Sequence, residues 1–335
     1  MAEPADDARP AYGHVSTGRL PSPEIVQAMV TEAHEHVRSN ADGSVSQVYP
    51  ALARVQPDLF GICIAGTNGR LFAAGDAEHE FTIMSVSKPF VFALVCHALG
   101  AEEARERIGV NATGLPFNSL SAVEQAPDGR TNPMVNPGAI ATTSLVPGAT
   151  ADARWRFIHD GLSRFAGRSL VVDEEVYGSA SATNHANQAI GRLLQSRGGI
   201  WLEPAEAVDL YTRQCSLTVT ARDLAVMGAT LADGGVNPLT HERVVDPQVC
   251  SYALAVMATA GLYETSGDWL YSIGLPGKSG ISGGVVTVAP GKGALGTFAP
   301  LLDGAGNSVK GRLVAAYVSR RLGMDLFVSQ PLEAD

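Results

Sequence analysis

The sequence predicts an α/β (α+β) fold, in which a sheet is flanked by helices and carries a helical insertion. Three observations predict it. Strand-like runs occur early in the 335-residue chain, helical patterns dominate its middle, and strand-like runs return after Gly261. Because each strand needs hydrogen-bonding partners, we expect the early and late strands to pair in one discontinuous layer. The crevice between that layer and the helical insertion is the expected functional site.

The first predicted elements are a helix over 23–39 and a β-hairpin. Pro23 opens the helix, because proline is favoured in the first helical turn. Strand-like runs at 59–65 and 71–74 flank the dipeptide Asn68-Gly69, which is a strong hairpin signal.

Helices are then expected through the middle of the chain, and strands with a closing helix after it. The clearest helical segments are 85–99, 187–195, 204–215, 221–231 and 247–260. The later strands are expected at 269–273, 285–289 and 295–298, with a Pro-Gly turn at 290–293. A last helix over 309–322 has Ser308 as its cap and Gly323 at its end.

These elements suggest one principal domain between two tails. The expected boundaries are a mobile N-terminal tail at 1–20, a domain at 21–325 and a C-terminal tail at 326–335. Within the domain, 21–80 and 262–325 would form the α/β part, and 81–261 the helical part.

Composition excludes several classes of protein. The net charge of −10, with no basic run, argues against a nucleic-acid partner. No apolar run approaches the ~18 residues of a membrane span, so no membrane partner is expected. The N-terminus lacks the apolar stretch of a secretion signal, which leaves the cytoplasm as the expected location.

No metal or other cofactor is expected either. His34 and His36 are two positions apart on a predicted helix, so they face different ways, and no phosphate-binding loop motif occurs. The four cysteines are scattered without a C-x-x-C pair, which predicts buried free thiols rather than disulfides.

Two short motifs contain half of the lysines. The chain has only four lysines, and one ends the S-x-x-K segment Ser85 to Lys88, while another begins the K-[ST]-G segment Lys278 to Gly280. In that order, these motifs are typical of acyl-transfer enzymes whose serine is activated by lysine. Alone, S-x-x-K could equally be a helix cap followed by a surface lysine.

Helical spacing selects the serine. Residues three apart share one face, so Ser85 can contact Lys88, whereas Ser87 points about 100° away. Lys88 must be neutral to accept a proton, and burial together with a second cation, Lys278, could lower its pKa. A competing G-x-S-x-G match at 280–284 precedes a strand-like run rather than a helix, so we interpret its glycines as a place of close backbone approach.

Further segments identify a family. The run Arg130 to Ile140 (RTNPMVNPGAI), together with segments at 81–89, 114–119, 274–284 and 307–311, resembles the serine-dependent glutaminases. The resemblance covers about 24–322. It implies a fold like that of the serine β-lactamases and penicillin-binding proteins, with an antiparallel sheet. It also implies hydrolysis of L-glutamine to L-glutamate and ammonia.

The resemblance implies a role for each matching residue. Ser85 would be the nucleophile and Lys88 its partner, while Tyr263 would assist proton transfer. The backbone N–H groups of Ser85 and Ile281 would form the oxyanion hole. Whether Lys88 or Tyr263 is the general base stays open at this point.

Other matching positions would hold the substrate. Asn136, Asn187 and Tyr211 match positions that bind its α-carboxylate and amino ends, and Tyr49 matches a lid tyrosine. The sequence alone allows other interpretations, namely a turn residue for Asn136, a helix cap for Asn187 and a packing aromatic for Tyr211.

One position departs from the family pattern. A glutamate that would pair with the substrate ammonium usually stands seven residues before the Asn187 position, where this chain has Ala180. Losing a charge-assisted hydrogen bond costs about 1.5–3 kcal/mol, or roughly 10–150-fold in affinity. Weaker binding, looser specificity or a substitute carboxylate from Glu174 or Glu175 are the alternatives.

Two other functions are weighed against a glutaminase. A β-lactamase, transpeptidase or esterase would usually carry an S-x-N or Y-x-N element, which this chain lacks. A catalytically silent glutamine-binding protein would keep the pocket without turnover. Family members commonly form dimers or tetramers, so the resemblance also implies a homo-oligomer.

Overall fold

The structure is a computed structural model that describes residues 18–126 and 128–328. Most of the predicted N-terminal tail and the end of the C-terminal tail lie outside these residues. The described strands are β1 (Gly61–Gly66), β2 (Leu71–Gly75), β3 (Phe81–Thr82), β4 (Val171–Val172), β5 (Leu217–Val219), β6 (Gly277–Ser279), β7 (Gly284–Ala289) and β8 (Gly293–Phe298).

Helices surround these strands. They are α1 (Pro23–Val37), α2 (Ser87–Leu99), α3 (Ala101–Ile108), α4 (Leu120–Gln125), α5 (Asn136–Thr143), α6 (Ala151–Ala166), α7 (Glu174–Thr183), α8 (His185–Ser196), α9 (Pro204–Cys215), α10 (Ala221–Ala232), α11 (Pro247–Ala260), α12 (Ser266–Ile273) and α13 (Val309–Arg321). In the described part of the chain, none is long and apolar enough to cross a membrane.

Strands from the two ends of the chain form one antiparallel sheet. Its order is β2-β1-β8-β7-β6, and β1 pairs directly with β8 so that Ile64 faces Leu295. The predicted pairing of early with late strands is therefore confirmed. The predicted domain boundaries remain a prediction.

Both faces of this sheet are covered by helices. Successive residues of a strand point to opposite faces. Ile62 and Ile64 pack with apolar residues of α1 and α13, whereas Cys63 and Ala65 belong to the core that includes α10. Helix α10 lies very close to the sheet, because a Cβ atom at Gly296 would come within 2.1 Å of the carbonyl oxygen of Ala221. The sequence therefore needs glycine at this contact.

A second, smaller sheet was not predicted. Its order is β3-β5-β4, and each strand has only two or three residues. Such short strands give no readable period in the sequence. The sheet matters for the site because β3 leads into the segment that carries Ser85, and the Ile83 N–H donates to the Leu217 carbonyl oxygen at 2.8 Å.

The strand prediction at 269–273 is wrong. These residues lie in α12, where Trp269 and Ile273 are buried four positions apart and Tyr271 between them is 94% exposed. That is the spacing of a helix face, which a five-residue apolar run does not distinguish from a strand. The third late strand is instead β6, which contains Lys278.

Other local predictions agree with the structure. Gly69 takes a φ of 77° in the hairpin turn, and the Ser308 side chain caps α13 by accepting from the Gly311 N–H. All four cysteines are free and buried. The predicted helix at 85–99 begins as a 3₁₀ turn over Met84–Val86 and becomes α-helical at Ser87.

Candidate active site

Ser85 lies in a strained turn between β3 and α2. Met84, immediately before it, has a φ of 46°, and Tyr263 has a φ of 59°. Side-chain-bearing residues rarely adopt this left-handed region, and doing so costs of order 1–3 kcal/mol. The surrounding fold holds both residues there, with the Ser85 side chain on the wall of a cavity.

Lys88 is buried and has two hydrogen-bond acceptors. Its Nζ donates to Asn136 Oδ1 at 2.7 Å and to the Met134 carbonyl oxygen at 3.3 Å. A neutral amine has two N–H groups and one lone pair. These two acceptors therefore satisfy both N–H groups and leave the lone pair to accept a proton.

No direct hydrogen bond joins Ser85 to Lys88 among the described residues, so their predicted contact stays a prediction. Ser85 precedes the first α-helical residue, and its side chain is near enough to Tyr263 to lower the pKa of that tyrosine. Lys88 points instead toward Met134 and Asn136. The Lys88 Nζ lies 5.8 Å from the centre of the Tyr263 ring.

Burial alone accounts for a neutral Lys88. The side chain is 1% exposed, and desolvation lowers its pKa from the ordinary lysine value to about 7. The expected help from Lys278 runs in the other direction. Burial first, and then the charge of Lys88, lower the pKa of Lys278 well below its usual value.

Tyr263 lies within reach of both Ser85 and Lys278. Burial raises its pKa to about 12, and hydrogen bonds with Ser85 and Ser279 partly oppose that rise. The Lys278 Nζ lies 4.0 Å from the centre of the tyrosine ring and donates to the Ser279 carbonyl oxygen at 2.7 Å. We call Lys88, Tyr263 and Lys278 the lysine cluster.

A polar chain supports this cluster from the segment at 307–311. Ser279 Oγ donates to Asn307 Oδ1, and Asn307 Nδ2 donates to Thr265 Oγ1 at 3.0 Å. Thr265 follows Tyr263 by two residues. The chain thus fixes the strand that carries Lys278 against the turn that carries Tyr263.

Ile281 presents a free backbone donor beside Ser85. It follows β6 in a tight turn and lines the same cavity, and among the described residues its N–H has no acceptor. Gly283, in the same turn, has a φ of 104°, and a Cβ there would come within 2.4 Å of the Ala299 carbonyl oxygen. The turn leads into β7, so Ser282 does not sit on a strand-to-helix elbow.

Asn136 connects the lysine cluster to the rest of the cavity. Its Nδ2 donates to Asn187 Oδ1 at 2.9 Å, and its Oδ1 accepts from the Tyr211 hydroxyl at 3.1 Å as well as from Lys88. The structure therefore brings together these predicted residues, with Tyr49 on the same wall. Lys88, Tyr263 and Lys278 lie behind the wall.

The far side of the cavity is formed by α7 and α8 and carries no charge. We call it the neutral wall: Ala180, Thr183, Asn184, Ala186 and Asn187. Glu174 and Glu175 do not line the cavity, and Glu175 pairs with Arg54 at the exposed surface. Neither residue therefore replaces the carboxylate that is missing at Ala180.

Sequence reasoning missed several residues of this cavity. They are Val48, Met84, Phe117, Asn118, Thr183, Asn184, Ala186, Thr212, Cys215, Ser216. Phe117 and Asn118 lie in the segment at 114–119, so that motif carried a usable signal. For Cys215 and Ala186 the sequence offers none. Among the described residues, no group of three or more His, Cys, Asp or Glu side chains could hold a metal ion.

The sequence matches a known protein family. The sequence model of one family, Glutaminase, matches residues 43–327. The chain belongs to the glutaminase family. It is 68% identical over 329 residues to "Glutaminase 2" of Yersinia pestis, and the match covers 98% of this chain and 97% of that relative.

Solved structures agree with this assignment. The glutaminase resembles a structure described as a probable glutaminase, YbaS, with a TM-score of 0.90 and 40% identity over 92% of this chain and 100% of the other. It also resembles Mglu in its glutamate form, with a TM-score of 0.86 and 36% identity over 91% and 71% of the two chains. The predicted fold class and amidohydrolase activity are thereby confirmed.

Proposed function

We propose that this glutaminase hydrolyses L-glutamine to L-glutamate and ammonia through a γ-glutamyl ester on Ser85. The observation that carries the proposal is the buried Lys88, whose Nζ has two acceptors for its N–H groups and whose pKa burial lowers to about 7. A serine becomes a nucleophile when a neighbouring base can take its proton. The glutamate form of Mglu supports a substrate of this size and charge.

Ser85 loses its proton to Lys88 through Tyr263. A pKa of about 12 makes the Tyr263 phenolate rare at neutral pH, whereas a pKa of about 7 makes neutral Lys88 abundant. Lys88 is thus the base. The Tyr263 hydroxyl donates to the Ser279 carbonyl oxygen at 3.3 Å in this structure and turns toward Lys88 to relay the proton. Ser85 Oγ forms a bond to the amide carbon of the substrate, and the N–H groups of Ser85 and Ile281 stabilise the oxyanion.

Collapse of this intermediate breaks the C–N bond. The leaving ammonia takes the proton that Lys88 received, which restores the neutral base. Water then attacks the ester, its proton returns to Ser85 by the same relay, and glutamate leaves. The net reaction consumes one amide and one water and yields one carboxylate and one ammonium ion.

Replacement of Ser85 tests this proposal. Ser85→Ala should reduce ammonia release from L-glutamine by at least ~10⁴-fold without changing the melting temperature. Ser282→Ala is the matched control, because its buried hydroxyl has no partner among the described residues and belongs to the competing motif. Loss of activity in Ser282→Ala with retention in Ser85→Ala would overturn the assignment. L-Glutamine binding without turnover in the wild type would indicate a silent binding protein.

We also infer that the enzyme is a cytoplasmic homo-oligomer, a dimer or a tetramer. Four free, buried cysteines suit a reducing compartment, in which disulfides rarely persist. The oligomer rests on the resemblance to the family alone. Light scattering after size-exclusion chromatography, and fractionation of the source cells, would test the two inferences separately.

A further inference from the structure

The neutral wall gives the substrate-binding cavity an unusual charge balance. Among the described residues, no aspartate, glutamate, lysine or arginine lines the cavity. L-Glutamine brings an α-carboxylate and an α-ammonium into this space. Neither of these ions therefore finds a counter-charge among the described residues of the cavity wall.

The nearby acidic side chains of Glu175 and Asp209 interact with residues outside the cavity. Glu175 pairs with Arg54 at the surface, and Asp209 on α9 accepts a hydrogen bond from the Tyr177 hydroxyl. Both acidic residues are exposed, and neither belongs to the cavity wall. No described carboxylate is thus placed to pair with a substrate ammonium.

The cavity does offer hydrogen-bond donors to a carboxylate. Asn187 Nδ2 and the Tyr49 hydroxyl donate to no group among the described residues, although both residues line the cavity. These groups can satisfy the oxygens of a carboxylate without a counter-charge.

The acceptors that the described cavity lining offers to an ammonium are uncharged. Ala180 and Ala186 offer methyl groups, and the Asn187 Oδ1 already accepts from Asn136. The Asn184 Nδ2 donates to Thr212 Oγ1 at 2.8 Å, which leaves the Asn184 Oδ1 as a neutral acceptor. An ammonium has three donors and no lone pair, so stripping its water here is costly. The cavity therefore matches one end of an amino acid better than the other.

We propose that this site also hydrolyses the terminal amide of five-carbon carboxylic acids that lack an α-ammonium, such as glutaramate, with an efficiency close to that for L-glutamine. The proposal rests on the function given above, with Ser85 as nucleophile. The amide C–N bond breaks, an ester to Ser85 forms, and water releases glutarate. One amide and one water give one carboxylate and one ammonium ion, so no further reactant is needed.

The test compares kcat/KM for L-glutamine and glutaramate in three proteins. These are the wild type, Ala180→Glu and Ala180→Gln, where Gln has the size of Glu without its charge. The wild type should discriminate between the two amides by less than ~10-fold. Ala180→Glu should shift the ratio toward L-glutamine by about 10–150-fold, as expected for a charge-assisted hydrogen bond. Ala180→Gln should leave the ratio within about threefold of the wild type.

Each outcome separates the two proposals. Wild-type preference for L-glutamine of ~10-fold or more would overturn this inference while leaving the glutaminase mechanism intact. An equal shift in Ala180→Gln and Ala180→Glu would overturn it as well, because size rather than charge would then decide. No ammonia from either amide in folded wild type would instead overturn the proposed function. If Ala180→Glu does not fold, calorimetry of glutaramate and L-glutamine binding to Ser85→Ala replaces the kinetic comparison. A binding preference for L-glutamine of ~10-fold or more would then contradict the inference.

Discussion

The lysine cluster behind Ser85 and the neutral wall across the cavity are built in opposite ways. The cluster buries three ionisable side chains, and burial shifts the pKa of each of them toward its neutral form. The wall consists of methyl, hydroxyl and amide groups only. We therefore expect proton transfer to depend on the lysine cluster, and substrate recognition at the neutral wall to depend on shape and dipoles. We therefore expect that substitutions can change catalysis and specificity separately.

Removing the base should produce the largest effect within this comparison. Lys88→Met should lower kcat/KM by about 10²–10⁴-fold, which is the usual contribution of a general base. The measurement is steady-state ammonia release. Lys292→Met is the matched control, since Lys292 lies in the β7–β8 turn and donates to the Gly323 carbonyl oxygen. Similar losses in both variants would contradict a special role for Lys88.

The same Lys88→Met variant should be more stable than the wild type. The native pKa of Lys88 is about 7 and that of an unfolded lysine is about 10.4, so between these values the unfolded state binds more protons. Wild-type stability therefore rises with pH across that range, and the buried amine costs stability below it. At pH 8 the melting temperature of Lys88→Met should rise by at least ~2 °C. An unchanged or lower value would show that the hydrogen bonds of Lys88 outweigh its desolvation.

Removing the relay should have a smaller effect than removing the base. Tyr263→Phe keeps the ring beside Lys278 but loses the hydroxyl that contacts Ser85. We expect a decrease in kcat of about 10²-fold with little change in KM. Rapid-quench kinetics should show slower formation of the ester. A pure KM effect would instead make Tyr263 a binding residue.

On the neutral wall, a substitution should act on binding. Asn187→Ala removes the Nδ2 that we propose as a donor to the substrate carboxylate, and it leaves the Asn136 Nδ2 without its acceptor. We expect KM for L-glutamine to rise about 10-fold or more, with kcat changed less than threefold. A fall in kcat that matches Lys88→Met would show that the two sides of the cavity are not separable.

Protonating Lys88 by lowering the pH should have the smallest effect on kcat/KM for each unit of change. Below a pKa of about 7, protonated Lys88 cannot accept a proton, so kcat/KM should fall tenfold for each further pH unit. Above it the rate should be flat until other groups titrate. The residual activity of Lys88→Met should lack the acidic limb. A limb that survives in this variant would assign it to another group.

The sequence predicted the lysine side of the site better than the wall. Ser85 and Lys88 are three residues apart, and Lys278 begins a three-residue motif. Short sequence motifs therefore reveal all three residues. Asn136, by contrast, bonds to Lys88 and Asn187 across 48 and 51 residues of chain. Only the folded structure shows that it links the two sides.

Two other features could not be predicted from the local sequence pattern. The helix at Ser266–Ile273 was predicted as a strand over 269–273, because a short apolar run fits both periods until burial selects one. The uncharged nature of the cavity depends on where Glu175 and Asp209 point, which spacing does not give. Ala180 signalled the missing charge, and the structure showed that no described residue supplies it.

The most direct test of the account is to trap the acyl-enzyme. Wild-type protein is mixed with L-glutamine, quenched in acid during turnover and digested, and mass spectrometry locates the γ-glutamyl group. The proposed mechanism predicts an ester on Ser85 that is absent from Ser85→Ala and accumulates less in Lys88→Met. A γ-glutamyl group on Cys215 or Ser282, or turnover that persists in Ser85→Ala, would contradict it.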